Sequence, residues 1–493
     1  MSPQVSTPRS AVARKPARPI RRLRKRVARS LRRMPPSLIG LVGTLAILTL
    51  LAAFLVGSAP KGDTRSSAPA APGDTDGPSP ATEIASPPPA TLPFDLPVPE
   101  TFDTHDPPTR EALLSAVQET RELRFVSSHN PWLPDLQQLR QQIRQPAAPR
   151  VDLACRDPRV RVQMLQREGG TLLTETAVAR GLAWLARQQQ SAGCWQLDGS
   201  VPSDTVATSV ALLPFLGAGQ THVVGRYQHE LVQGLRWLIS RQRKDGDLRG
   251  DSRGHLGMYA QAQGTLALCE ALLLTEDPQL SEPARQATDF LLSAQYPDGG
   301  WGGRSSWEVP VAERRGDTSV LGWVLLALAT ARAANLDVPD DTFELASHFL
   351  DGVQLHDGAV YAYQRAFPPM PTMTAEALLC RLYLGWDLNS PGLDTGLRLL
   401  ATDQLPAADQ PSVHYWYHAT QVFYHVGGPL WSEWNSRMRE ILVSTQETSG
   451  ETAGSWEPRG EFAAASGRLT TTALAVCTLQ VYYRHLPVLR QLP

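Results

Sequence analysis

Two stretches with the same pattern, residues 181–189 (GLAWLARQQ) and 287–295 (ATDFLLSAQ), carry the main information on the fold. The block occurs four more times, and each copy has a large apolar residue at its fourth position. In chain order these residues are Trp184, Trp237, Phe290, Phe349, Leu399 and Ile441. Each copy has a glutamine five residues later, at Gln189, Gln242, Gln295, Gln354, Gln404 and Gln446. Six copies in one register predict an internal repeat.

Each repeat is predicted to be a pair of helices. Several copies run on into a glycine and an aromatic residue, as at 193–195, 300–301, 358–361 and 454–456. Apolar segments of helix length lie between the blocks, at about 204–217, 256–274, 316–333, 372–386, 413–427 and 468–486. Helices that are apolar all round are buried. The sequence therefore predicts an all-α, (α/α)6 toroid with six apolar inner helices and six amphipathic outer helices, in which the repeated Gln and Trp are structural.

The charge of the chain is unevenly distributed. Residues 1–36 contain 12 of the 47 Lys and Arg residues and no acid, which leaves 35 basic and 48 acidic residues in the remainder. The larger part is acidic and would repel phosphate, so a nucleic-acid partner is excluded. The apolar content of 42% excludes a fully disordered chain. Five cysteines in 493 residues exclude a disulfide scaffold.

An apolar run near the N-terminus predicts attachment to a membrane. Residues 38–56 (LIGLVGTLAILTLLAAFLV) carry no charge, and about 20 apolar residues cross a bilayer as a helix. Residues 37–58 are therefore predicted to be a signal-anchor helix. The basic residues 1–36 would be cytoplasmic and the rest extracytoplasmic. A cleaved signal peptide is the alternative, and it places the bulk of the chain on the same side.

Two connecting segments follow. Residues 59–108 are rich in Pro, Ala and Ser and predict an extended linker. Residues 109–173 have helical periodicity interrupted by prolines, which predicts short helices beside the main domain. The toroid is predicted to occupy residues 174–493.

The repeat resembles that of squalene and oxidosqualene cyclases and of protein prenyltransferase β-subunits, over about residues 174–486. For a cyclase, the resemblance implies an Asp-x-Asp-Asp-Thr proton donor at the start of an inner helix. Residues 338–342 (VPDDT) are similar but precede an outer helix, where they are expected to form a cap. At the start of inner helices the sequence has only Asp204-Thr205 and Asp317-Thr318, and helix capping is the alternative role of both aspartates.

For a prenyltransferase, the resemblance implies zinc bound by an Asp-x-Cys pair, which this sequence lacks. Cys269, Cys380 and Cys477 lie within apolar segments and are expected to be buried. Cys155 and Cys194 lie outside these segments, and the sequence does not decide whether they form a disulfide. No cofactor and no metal site are predicted. His414, His418 and His425 share a helix face but lack a supporting metal motif.

The segment 414–425 (HYWYHATQVFYH) is the best candidate for a ligand surface. Aromatic residues on inner helices can line an apolar cavity that has a few polar groups, or can simply pack the core. The candidate substrate-binding residues are Tyr259, Trp323, His414, Tyr415, Trp416, Tyr417 and His418. The candidate catalytic residues are Asp204, Asp317 and Glu376.

Fold does not determine function, and three classes stay open. The sequence favours a non-catalytic binding or scaffold module that binds an envelope protein or component. The first alternative is a protein that binds an isoprenoid or other lipid, or an enzyme of the terpene-cyclase type. The second alternative is a carbohydrate-active enzyme. The sequence does not decide whether the chain is catalytic.

Overall fold

Helices form most of the part of the chain that the computed structural model describes, which is residues 151–489 except Arg253 and Glu461. The α-helices of this part are, in chain order, α1 (Pro158–Glu168), α2 (Leu172–Arg187), α3 (Asp204–Gly217), α4 (Gln228–Arg241), α5 (Leu256–Thr275), α6 (Pro278–Ser293), α7 (Thr318–Ala333), α8 (Asp340–Val353), α9 (Pro371–Tyr383), α10 (Pro391–Asp403), α11 (Val413–Val426), α12 (Gly428–Thr445), α13 (Ala463–Leu479) and α14 (Val481–Arg484). An antiparallel hairpin of β1 (Gln354–Leu355) and β2 (Val360–Tyr361) follows α8, a feature that the sequence analysis did not predict.

Six of these helices form a closed inner ring. In this ring, α3 packs against α5, α5 against α7, α7 against α9, α9 against α11, and α11 against α13. The ring closes because α13 packs against α3. Almost every residue of α3, α5 and α7 is buried, including those on the side that faces the outer helices. Burial on all sides explains why these segments are apolar all round. The predicted toroid is thus present in the packing of the chain's own helices.

The outer ring consists of α2, α4, α6, α8, α10 and α12. Each outer helix packs an apolar stripe on an inner helix, and α2 packs on α13 and α12. The first outer helix therefore contacts the last inner helix, which closes the ring. A side-chain hydrogen bond supports this closure, because Trp184 Nε1 donates to the Glu451 carbonyl at 3.2 Å.

The repeated glutamine links one outer helix to the next. Gln295 Nε2 donates to the carbonyls of Gly299 (2.9 Å) and Thr342 (3.1 Å), and Thr342 lies in the first turn of α8. Gln189 and Gln446 make the same pair of bonds, with Glu230 and Ala177 as the carbonyls on the following outer helix. One amide group has two N–H donors and can satisfy both carbonyls. The glutamine is therefore a structural residue, as its repetition predicted.

The glycine and the aromatic residue of the repeat have their own structural roles. Gly299 has a φ of 89°, and a Cβ there would collide with the Leu345 carbonyl on α8. Trp301 Nε1 then donates to the Leu291 carbonyl in the last turn of α6, at 2.8 Å. Trp195 and Trp456 make equivalent bonds to the ends of α2 and α12. Each tryptophan satisfies a carbonyl that the end of a helix leaves without a partner.

The inner helices run in one direction, so the barrel has two different ends. At the end where these helices begin, which we call the mouth, the Ser200 amide donates to the Ala464 carbonyl and the Thr318 amide donates to the Tyr363 carbonyl. At the far end, Arg156 and Arg484 both bind Glu270, with N–O distances of 2.8 to 3.0 Å, and all three side chains are buried. This ion triad joins the two ends of the described chain across α5.

The domain boundaries can be compared with the structure only from residue 151 onwards. The first outer helix begins at Leu172, with a capping box between Thr171 and Thr174, so the toroid starts slightly before the predicted residue 174. The helix α1 precedes it and packs against α14. The predicted regions 1–36, 37–58, 59–108 and 109–150 lie outside the described residues. Between residues 151 and 489, no described helix combines the length and the hydropathy that a membrane span requires.

Candidate functional site

Asp317 is the central residue of a polar cluster at the mouth. It caps α7, because its Oδ1 accepts a hydrogen bond from the Val320 amide at 2.8 Å. The same oxygen accepts the Ser319 hydroxyl at 2.8 Å, and Ser319 Oγ accepts the Tyr259 hydroxyl at 2.5 Å. The Tyr363 side chain also hydrogen-bonds to the carboxyl group. The expected helix cap is therefore confirmed, and Asp317 is in addition bound to residues from α5 and from the loop before α9.

Burial raises the pKa of Asp317, since desolvation disfavours the charged carboxylate. The effect is opposed by the nearby His255 and by the hydrogen bonds from Val320, Ser319 and Tyr363, yet the pKa stays above its ordinary value. The side chain is only 2% exposed. A carboxyl group in this state can hold a proton at a higher pH than a solvated aspartate and can donate it to a bound molecule.

Glu376 is a second buried carboxylate of the same cluster. It lies on α9 and is 1% exposed, and its Oε1 is 3.6 Å from His418 Nε2 on α11. Its negative charge and that of Asp317 both raise the pKa values of Tyr259 and Tyr363, although burial is the larger cause for each. The two carboxylates therefore act on the same pair of tyrosines. Gly322 of α7 makes room for Glu376, because a Cβ at that position would overlap the carboxylate.

Histidines of α11 continue the cluster towards the surface. The His414 and His418 rings are 5.1 Å apart, as expected for residues one helical turn apart on the same face. Burial lowers the pKa of His414 to about 4 and lowers that of His418 well below its ordinary value. Both imidazoles are therefore neutral at pH 7, and each has one N–H donor and one acceptor nitrogen.

Several buried polar atoms of the barrel interior have no hydrogen-bond partner within the described chain. They include Gln263 Oε1, Gln421 Oε1, His414 Nδ1 and both ring nitrogens of His418. Gln263 lies one turn after Tyr259 on α5, and Gln421 lies three residues after His418 on α11. A buried polar atom without a partner costs about 1–3 kcal/mol. A water molecule or a polar ligand that reached these atoms would supply the missing hydrogen bonds.

The predicted aromatic surface is only partly assembled here. Trp323 of α7 and Tyr417 of α11 stack with a ring distance of 5.5 Å, and Trp323 is also edge-on to His418 at 5.9 Å. Tyr415, by contrast, packs against Trp434 of the outer helix α12 at 5.8 Å. Tyr415 therefore faces the outer ring and is not part of the cluster, which corrects the sequence-based expectation. Trp416 is buried in the core.

The structure places Asp204 in a separate arrangement. Ser203 caps α3, accepting from the Val206 amide at 3.1 Å, so the expected capping role of Asp204 is wrong. Asp251 instead binds this helix terminus, with its Oδ2 accepting the Asp204 amide at 2.9 Å and its Oδ1 accepting the Thr205 hydroxyl at 3.0 Å. Asp204 begins α3, whereas Asp317 caps α7 and Glu376 lies on α9. Of the three candidate catalytic residues, the structure groups two.

The motif at 338–342 begins an outer helix, as its position predicted, but it does not cap that helix. Pro339 occupies the capping position of α8, and no side chain there accepts a hydrogen bond from the first turn. Asp340 pairs with Arg332 of α7 at 2.8 Å instead. The motif therefore helps to join α7 to α8.

The cysteines do not form disulfides. All five are free and buried, and Cys155 Sγ donates to the Tyr483 carbonyl at 3.0 Å, so no disulfide joins Cys155 to Cys194. Cys269, Cys380 and Cys477 are buried within inner helices, as predicted. Among the residues that the structure describes, no three His, Cys, Asp or Glu side chains are grouped so as to hold a metal ion.

The sequence analysis missed three residues of the cluster: His255, Ser319 and Tyr363. Ser319 had a weak signal, since it follows Asp317-Thr318 at the start of an inner helix. His255 directly precedes α5. Tyr363 lies in the loop between β2 and α9 and had no signal in the sequence.

Comparisons with known proteins give structural matches of low similarity. No family model and no curated protein matches the sequence. The α-1,6-mannanase of Salegentibacter sp. HEL1_6 is 10% identical over 63% of this chain and 98% of its own, with a TM-score of 0.45. The type II terpene cyclase MstE from Scytonema is 15% identical over 62% of this chain and 97% of its own, with a TM-score of 0.44. A protein from Actinoplanes is 16% identical over 63% and 99%, with a TM-score of 0.41.

A terpene cyclase is among the structures found, as the predicted resemblance to terpenoid-cyclase-like α/α toroids implied, but the toroid itself is established by the packing of this chain's own helices. The TM-scores are below 0.5.

Proposed function

We propose that this chain is a binding module whose barrel mouth takes up a neutral, hydroxyl-rich ligand of the carbohydrate type. The predicted helix at 37–58 would hold the module at the outer face of a membrane. The observation that carries the proposal is the group of buried polar atoms without partners, beside the stacked Trp323 and Tyr417. A sugar combines hydroxyl groups, which can pair with such atoms, with apolar C–H faces, which pack on aromatic rings.

The polar character of the interior favours a sugar over a hydrocarbon. An isoprenoid chain would leave Gln263, His418 and Gln421 without partners, at about 1–3 kcal/mol for each buried atom. The charge of the mouth also disfavours an anionic ligand. Asp317 and Glu376 both act electrostatically on Tyr259. A diphosphate bound there would lie close to these two acidic side chains.

Binding can be tested with the full chain in detergent micelles. Isothermal titration with neutral oligosaccharides, and separately with a prenyl diphosphate, should give saturable binding of a sugar only. We expect Glu376→Gln to weaken the binding at least tenfold, because it removes a charged acceptor from the site. Asp204→Asn is the matched control and should leave the affinity unchanged. Binding of the prenyl compound alone would contradict the proposal and favour the isoprenoid alternative.

Asp317 supports a second candidate function, the cleavage of a glycosidic bond. Its raised pKa suits a general acid that protonates a leaving oxygen, and Glu376 supplies the second carboxylate that such a reaction requires. In this case Asp317→Asn should abolish the release of reducing ends and retain sugar binding. Binding by the wild-type chain without any release of reducing ends would leave the binding module as the function.

A further inference from the structure

We infer that the ligand is an extended chain that lies across the mouth, with Phe367 and Phe462 as the outer contacts of its two sides. This inference rests on the proposed binding of a neutral sugar and specifies the class of sugar. Both phenylalanines are about half exposed, at 48% and 49%. Each is nevertheless in ring contact with a residue that leads towards the buried cluster.

On one side, the rings proceed from the Asp317 cluster to the surface. The Tyr363 side chain, which hydrogen-bonds to Asp317, is 6.0 Å from the Phe367 ring and 6.4 Å from the His255 ring. His255 in turn is 5.3 Å from Tyr259. His255 is exposed and the two tyrosines are partly exposed, so this side presents accessible aromatic surface above a buried acid.

On the other side, the rings proceed from Glu376. His418 lies 3.6 Å from the carboxylate, His414 follows at 5.1 Å from His418, and Phe462 follows at 5.2 Å from His414. Phe462 has a φ of 65°, which a residue with a side chain rarely adopts. Its ring is half exposed and lies beside His414. Exposure to solvent increases from His418 through His414 to Phe462, as it does on the first side from Asp317 through Tyr363 to Phe367.

The two sides together span several inner helices. Phe367 precedes α9 and Phe462 precedes α13, and α11 lies between these two helices in the ring. Neighbouring helices pack about 8–10 Å apart, which separates the axes of α9 and α13, the helices that follow the two phenylalanines, by on the order of 15 Å. One sugar ring cannot contact both. A linear oligosaccharide can, with its middle units over Asp317 and Glu376.

The experiment is a titration of the full chain with linear neutral oligosaccharides of increasing length, from the monosaccharide to the hexasaccharide. The gluco- and manno-series are the probes. The affinity of the wild-type chain should rise with length to a plateau. Phe367→Ala and Phe462→Ala should each lower the affinity for the longest oligomer by about threefold to tenfold, the range of one aromatic contact. Neither should change the affinity for the shortest oligomer that binds.

Leu388→Ala is the matched control, because Leu388 is also an exposed apolar residue, at 56%, but follows α9 at the far end of the barrel. It should bind every oligomer as the wild type does. Equal affinity for all lengths would overturn the extended-chain inference and leave the proposed function intact, as a closed pocket for a short sugar. Failure of every sugar to bind would overturn both. Thermal melting of each variant separates lost contacts from lost fold.

Discussion

Single residues of the repeat are fixed by close contacts between neighbouring helices. Gly299 is one case, since its left-handed backbone places the Cα against the carbonyl of Leu345 on the next outer helix. Gly385 has a similar φ of 97° but has no atom within 4 Å of the position that a Cβ would take. A comparison of the two glycines therefore separates the effect of the left-handed backbone, which both have, from the effect of the close contact with α8, which only Gly299 has.

We predict that Gly299→Ala destabilises the protein more than Gly385→Ala does. Both substitutions place a side chain in the left-handed region, at about 1–2 kcal/mol. Only Gly299→Ala also forces α8 away from the loop, so it should lower the free energy of unfolding more than the control Gly385→Ala does. The measurement is the free energy of unfolding from urea titrations. Equal losses would show that the contact with α8 can relax without cost.

The buried environment of Asp317 leads to a prediction about how stability changes with pH. Its pKa is raised in the folded state, so its contribution to stability is fully present below the unfolded pKa of about 4. That contribution is lost as the pH rises through the folded pKa. Asn can still cap α7 and has no charge to bury. We expect the melting temperature of Asp317→Asn, relative to wild type, to increase from pH 4 to pH 8.

The check on this prediction is thermal melting across that pH range, with Asp204→Asn as the parallel control. A difference between Asp317→Asn and the wild type that stays constant with pH would contradict the burial of an ionisable group at this position. A decreasing difference would mean that the folded state binds the charged form better than water does.

At the scale of elements, the repeated glutamine joins outer helices whose contact is otherwise made of apolar stripes. Gln295 bonds to a loop carbonyl of its own repeat and to a carbonyl in the first turn of α8. The local sequence predicts each helix, but a hydrogen bond between two outer helices needs a polar side chain at the end of one of them. The glutamine occurs at this position because it stands at the same place in each copy of the repeat.

We predict that Gln295→Leu lowers the free energy of unfolding by about 2 kcal/mol, because two carbonyls each lose a hydrogen bond. Gln190→Leu is the control, since Gln190 lies on the surface and its side-chain amide donates to the nearby Gln188 carbonyl. Chemical denaturation of both variants gives the comparison. A loss no larger than that of the control would mean that water replaces the amide of Gln295.

At the scale of the whole molecule, the far end of the barrel depends on a buried ion triad. Burial raises the pKa of Glu270, but Arg156 and Arg484 lower it more, and the net pKa is below its ordinary value. The stability that this carboxylate contributes is therefore present above about pH 4.5 and is lost as the pH falls. Arg156 and Arg484 come from opposite ends of the described chain, so the triad ties these ends together.

We predict that Glu270→Gln destabilises the chain by about 3–5 kcal/mol, because two buried guanidinium groups lose their counter-ion. Glu282→Gln breaks an exposed pair with Arg285 and should have little effect. Denaturation at pH 7 tests both. If Glu270→Gln is as stable as its control, the guanidinium groups find other acceptors and the triad is not needed to close the far end.

The helix pairs and their repetition could be predicted from the sequence because their causes are local. Amphipathic periodicity defines the outer helices, and the glutamine and glycine recur in register with it. At most of their ends, the six apolar segments predicted as inner helices agree with the observed helices to within about five residues. Closure into a ring also followed, since six stacked pairs without polar end repeats have one way to bury their faces.

The composition of the site could not be predicted in the same way. An inner helix that is apolar all round, such as α5, has no preferred face in its sequence, so nothing local indicates which side chains point to the barrel axis. Helix geometry places Tyr415 and Tyr417 on different faces, but it does not decide which of them packs on α12 and which on Trp323. The rotation of each helix depends on how both rings pack around it. Asp317, Glu376 and His418 come from three different repeats, and only the closed ring brings them together.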